Sequence, residues 1–155
     1  MSKAINKSIK PSSQIGGLPE TSRSLPIALA RAREKVMLPI RQMLTASGIT
    51  EQQWRVLRVL YEQGPLDSTT LAEKACLLMP SLTRIVQSMV QNEYVTRTEH
   101  EEDRRRLTVA IAPKGKAIIL NNLDEATAIA ANIEATLGKK RFDDLLDSLR
   151  RLEEM

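Results

Sequence analysis

The chain has 155 residues, 42% hydrophobic and 27% charged, with a formal net charge of +4, long enough to bury one core without cross-links. Its one cysteine, Cys76, excludes an intrachain disulfide and suits a reducing compartment, and its one histidine, His100, leaves no metal ligand set and no histidine-based triad. No stretch approaches the roughly 18 apolar residues of a membrane span, and no apolar run follows the N-terminal lysines as a secretory signal requires, so the expectation is a cytoplasmic protein with no cofactor that is not an enzyme.

Residues 1 to 24 mix Ser, Gly, Pro and Lys, with Lys3, Lys7, Lys10 and Arg23 against Glu20, a net +3. They read as a flexible basic arm. Residues 25–155 read as a single domain. Pro26 suits the first turn of a helix running to about Ser47, with Leu29, Ala32, Val36, Ile40, Met43 and Leu44 as its inward stripe. Pro39 lies inside that helix and should kink it, since it cannot donate to the carbonyl of Lys35. Gly48 is the stop.

Thr50 is placed to cap a second helix, "EQQWRVLRVLYEQ", that ends at Gly64-Pro65. Within it, Glu51 precedes Arg55 and Arg58 precedes Glu62 by four residues, the spacing of stabilising ion pairs. Ser68 is a candidate cap for a short third helix, "TTLAEKACLL", in which Cys76 reads as a small buried hydrophobe. Pro80 then opens a fourth helix. Leu82, Ile85, Val86, Met89 and Val90 recur at i, i+3, i+4, i+7 and i+8, an inward stripe. The opposite face carries Ser81, Thr83, Arg84, Gln87, Ser88 and Gln91, with no carboxylate before Glu93. An ordinary solvated face mixes both signs; this one is kept clear for something negatively charged.

After Asn92 the apolar period falls from 3.6 to 2. Val95 in "YVTRTE", then Leu107, Val109 and Ile111 in "LTVAI", alternate with polar or small residues. Two strands are expected, joined by the charged loop "HEEDRRR". Pro113 starts a long helix to about Leu137, with Ile119, Leu120, Leu123, Ala126, Ala130, Ile133 and Leu137 inward. Gly138 ends it, and a last helix carries Phe142, Leu145, Leu146, Leu149 and Leu152 at helical spacing. The fold expected is mainly α with a small β-hairpin wing: a winged helix-turn-helix over about 50–112, flanked by long helices over about 25–47 and 113–154. Those flanking helices are too long for so small a head to bury, so their stripes call for a second copy of the chain and a homodimer.

Taken together, "SGITEQQWRVLRVL", "DSTTLAEKACLLMPSLTRIVQSM", "YVTR" and "DRRRLTVAIAPKG" resemble the MarR family of dimeric winged-helix regulators. More narrowly, "LARAREKVM", "TEQQWRVLRVL" and "LLMPSLTR" are similar to the branch that represses operons for homoprotocatechuate (3,4-dihydroxyphenylacetate) degradation. The likeness covers about residues 25 to 152. The chain departs from the family at two places. Glu93 stands where a Gly usually precedes the first wing strand, and Ile111-Ala112 replaces the usual Leu-Thr that caps the fifth helix. If Glu93 is left-handed, it costs roughly 1 kcal/mol there.

The resemblance implies a transcription regulator, in this branch a repressor, that binds double-stranded DNA at a pseudo-palindromic operator with half-sites roughly 34 Å apart. The fourth helix would enter the major groove, with Arg84 reaching guanine or phosphate and Ser81, Thr83, Gln87 and Ser88 making short polar contacts. In the wing, Arg104 or Arg105 would enter the minor groove while Asp103 positions an arginine. A small aromatic carboxylate would be the effector that releases DNA. Arg33, which breaks the apolar stripe of the first helix, is the first candidate for its carboxylate anchor; Arg55 is the second and Trp54 an aromatic wall. Two rivals stand beside this: a thiol switch at Cys76, and a helical protein-interaction module that binds no DNA.

Overall fold

The computed structural model describes residues 17–100, 102 and 106–155. Residues 1–16 of the basic arm, and Asp103, Arg104 and Arg105 of the wing, lie outside the described residues. Contacts divide the chain into two units, one up to Met37 and one from Leu38 to Met155. The first helix, α1 (Leu25–Ser47), runs continuously across that division and through Pro39. In the first unit the expected stripe is not buried within the chain: Leu29, Ala32 and Val36 are exposed. In the second, Met43 and Leu44 of the same helix are buried and belong to the core cluster.

The second unit holds α2 (Glu51–Gln63), β1 (Leu66–Asp67), α3 (Ser68–Lys74), α4 (Met79–Gln91), β2 (Val95–Glu99), β3 (Leu107–Ile111), α5 (Pro113–Asn121), α6 (Leu123–Leu137) and α7 (Lys139–Glu153). The strands form an antiparallel sheet in the order β1-β3-β2. The hairpin is as expected, with Val95 opposite Ile111 and Glu99 opposite Leu107. The third strand is not: Leu66 and Asp67 pair with Val109 and Thr108, and two residues after a proline carry no readable period. This is a winged helix-turn-helix, mainly α.

One cluster fills the head. Trp54, Val56, Leu57 and Leu60 of α2 meet Leu71 of α3, then Leu82, Val86 and Met89 of α4, with Val95, Val109 and Ile119 closing the sides. Each leucine so buried is worth about 1.5–3 kcal/mol. Thr50 caps α2 as its position suggested, in a reciprocal box: the Gln53 N–H donates to Thr50 Oγ1 at 3.1 Å and the Thr50 N–H to Gln53 Oε1 at 3.0 Å. For α3 the cap is Asp67 rather than Ser68. Its Oδ1 accepts from the Thr70 N–H at 3.0 Å and its Oδ2 from the Thr70 hydroxyl at 2.7 Å. The backbone bond first, then the hydroxyl, hold the Asp67 carboxyl below its ordinary range.

Three helix ends share one design. At Gly48 (φ 67°) the N–H reaches Thr45 O and the next N–H reaches Leu44 O, the paired bonds of a Schellman turn. Cys76 (φ 53°) repeats this after α3, with its N–H on Glu73 O and that of Leu77 on Ala72 O. Cys76 is therefore not a buried helical residue as expected: the helix stops at Lys74 and the thiol is exposed. Glu93 (φ 62°) repeats it again after α4, bonded to Val90 O while Tyr94 bonds to Met89 O. Glu93 is thus left-handed, a conformation that costs a non-glycine residue roughly 1 kcal/mol. Glu93→Gly is expected to gain up to about 1 kcal/mol of stability in thermal unfolding; the gain is less than the strain because glycine also loosens the unfolded chain.

The expected helix from Pro113 to Leu137 is two helices, parted at Asn122. This side chain is 6% exposed. Its Nδ2 donates to Ile118 O at 2.8 Å and to Ser47 Oγ at 2.7 Å, and Ser47 Oγ donates back to Oδ1 at 2.9 Å. With Nδ2 claiming the Ile118 carbonyl, the Asn122 N–H is left shared between Ile118 O and Ile119 O, both at 3.3 Å, and the helix breaks there. On either side of it, several residues read as inward are exposed within one chain, among them Leu120, Leu123, Leu137, Leu145, Leu146 and Leu152.

Candidate nucleic-acid interface

The helix-turn-helix is α3, the turn at Cys76 and α4. Packing of Leu82, Val86 and Met89 into the core decides which face of α4 turns outward. Thr83, Arg84 and Gln87 are exposed, and Ser81 and Ser88 are half-buried at the edges of the same face. No acid lies on the helix. The Thr83 hydroxyl donates to Met79 O at 3.0 Å, so it offers a partner its lone pairs rather than its proton. Ser81, Arg84 and Ser88 share a cleft of about 220 Å³ with Thr50, Gln52 and Gln53 at the start of α2. Thr50 was expected only as a cap, and nothing in the sequence placed it, Gln52 or Gln53 beside a helix some 30 positions away.

The wing stem continues past β2, where the His100 N–H donates to Arg106 O at 3.2 Å and His100 Nε2 lies 2.7 Å from Thr108 Oγ1. Beside its base, Val90, Glu93, Val95, Thr96, Arg97, Ala112, Pro113 and Lys114 line a wider open cleft of about 560 Å³. Ala112 gives α5 no side-chain cap, as the departure from Thr implied.

The residues singled out for an effector sit in different settings. Arg33, on α1 in the first unit, has Nη1 3.6 Å from Glu34 Oε1, with half its side chain exposed. Trp54 is 7% exposed in the core of the head. Arg55 is spaced for Glu51, but its Nη1 donates to Cys76 O at 3.2 Å, tying α2 to the turn before α4. Its Nε is buried with no partner among the described residues. Glu51, four residues earlier, lies 4.0 Å from Arg41. Arg58 and Glu62 do pair as the spacing suggested, at 2.8 Å.

The model of the MarR family matches residues 49–107. The HTH-type transcriptional regulator FarR of Neisseria gonorrhoeae is 35% identical over 134 residues, which are 84% of this chain and 92% of that one. This chain belongs to the MarR family. It is a MarR-family DNA-binding transcription regulator, and its relatives are regulators rather than enzymes. The homoprotocatechuate degradative operon repressor of Escherichia coli is 34% identical over 122 residues, 79% of this chain and 82% of that one, which supports the branch the sequence resembles. Among solved structures, NadR in complex with 4-hydroxyphenylacetate is 34% identical, with a TM-score of 0.76 over 89% of this chain and 99% of that one.

Proposed function

We propose that this MarR-family protein is a homodimeric repressor of an aromatic-acid catabolic operon, released from a pseudo-palindromic operator by a small aromatic carboxylate. The observation that carries the DNA half is the acid-free exposed face of α4, with Arg84 at its centre and Ser81, Thr83, Gln87 and Ser88 around it. Arg104 or Arg105 of the wing, positioned by Asp103, adds a minor-groove contact, and residues 1–24 add non-specific attraction to phosphate. Leu120, Leu123, Leu145 and Leu146 are exposed on α5 to α7, apolar area that a second copy would cover.

The effector half is supported by the 4-hydroxyphenylacetate bound to NadR and by the operon named for the Escherichia coli relative. Arg33 is the first candidate anchor for the carboxylate and Arg55 the second, with Trp54 as the apolar wall. Titrating the operator complex with 4-hydroxyphenylacetate and with 3,4-dihydroxyphenylacetate tests it. At saturation, either should weaken operator affinity by about 5- to 150-fold, the usual range of coupling between two sites. If neither acid shifts the complex, the effector assignment goes and the DNA assignment stands.

A second reading draws on the exposed thiol of Cys76 at the turn into α4. Peroxide in place of the aryl acid separates the two. Release by peroxide that Cys76→Ser abolishes would replace the ligand switch with a thiol switch.

A further inference from the structure

The leading end of α4 is apolar where a polar cap would be worth most. Leu78 holds the N-cap position (φ −73°, ψ 145°) and has no side-chain acceptor for the first turn. The two preceding helices are capped by the side-chain oxygens of Thr50 and Asp67. Leucine is among the poorest N-cap residues, so its presence costs the helix stability. Burial does not return that cost, since Leu78 is 78% exposed and Met79 beside it 42% exposed.

What these side chains project towards is limited by their surroundings. They lead a helix whose outward face has Arg84 and no acid, and Ser81 one turn on lines the cleft shared with the start of α2. That electrostatic setting favours a polyanion, and a charged phosphate offers nothing to a leucine. The one apolar group projecting into the major groove of DNA is the 5-methyl of thymine. We infer that Leu78, flanked by Met79, reads the 5-methyl group of a thymine in each operator half-site. This rests on the operator-binding reading given above. The contact distinguishes thymine from cytosine, which has hydrogen at that carbon, without any hydrogen bond, and it accounts for the missing cap.

The experiment begins with duplexes selected from a random pool by the full-length wild-type chain. Each thymine of the selected operator is then replaced by deoxyuridine, which removes only the methyl, and affinity is measured at fixed salt. At one position per half-site the wild type should weaken about fourfold, the value of burying one methyl group, and roughly fifteenfold when both half-sites are changed. Leu78→Ser restores a side-chain acceptor at the N-cap, so its melting temperature should not fall. It should bind the thymine operator more weakly than the wild type and bind thymine and deoxyuridine operators equally. A wild type indifferent to every thymine methyl overturns the inference, and so does a Leu78→Ser protein that keeps the full methyl dependence. Failure to select any preferred duplex would instead remove the operator-binding reading, and this inference with it.

Discussion

Gly115→Ala is expected to destabilise the winged head by about 3 kcal/mol or more, at or beyond the upper end of ordinary overpacking. A methyl group built on Gly115 runs into the carbonyl oxygen of Tyr94, and lies 2.9 Å from Leu57 Cδ2 and 3.0 Å from the Tyr94 carbonyl carbon. Nothing there is free to give way. The Tyr94 oxygen already accepts from the Ala112 N–H at 3.0 Å, and the Tyr94 N–H is held by Met89 O at 2.8 Å. Leu57 is fully buried. The close approach seats the first turn of α5 against the exit from α4, just before the wing begins. Denaturant unfolding should therefore show a lower midpoint, and operator affinity should fall as the wing is displaced. Stability within about 0.5 kcal/mol of wild type, the usual span for innocuous surface changes, would mean that α5 does not press on that turn. Glu93→Gly, one residue before Tyr94, should move stability the other way, which separates crowding from backbone strain at the same corner.

Arg84→Ala is expected to cost about 1–3 kcal/mol of operator affinity per protomer, roughly 5- to 150-fold, if the guanidinium meets a base edge. Thermal stability should hardly change, because Arg84 is exposed and the stripe that packs α4 is on the other side. The salt dependence tells which contact is lost. A phosphate contact would lower the slope of log affinity against log salt by about one and weaken all duplexes alike, whereas a base contact would relax preference at one position. An Arg84→Ala protein with wild-type affinity for operator and for random DNA would take Arg84 out of the interface.

What could be read without a structure is what local rules govern. The inward stripe of α4 from Leu82 to Met89, the Thr50 cap, the stop at Gly48 and the placing of strands β2 and β3 each depend on residues within about four positions of one another. Nearest-neighbour chemistry decides them. The acid-free face of α4 was legible for the same reason, since burial of one stripe determines what the other side presents. The family pattern added the sense of left-handed strain at Glu93, where the structure has φ 62°.

Tertiary structure decided the rest, because distant residues compete for the same backbone groups. Asn122 could have stayed within one long helix, but Ser47, 75 positions away, holds its side chain where it also takes the Ile118 carbonyl. Cys76 has the composition of a core residue and becomes an exposed turn, since the chain must turn between Lys74 and Met79 to bring α4 into the core it shares with α2. Arg55 was spaced for Glu51, yet donates to the Cys76 carbonyl once that turn is brought against α2. Gln52, Gln53 and Arg84 line one cleft only because α2 and α4 pack together through the same core. Leu66 and Asp67 become a strand because β3 supplies an open edge to pair with, and an edge is a property of the assembled sheet, which no two-residue sequence contains.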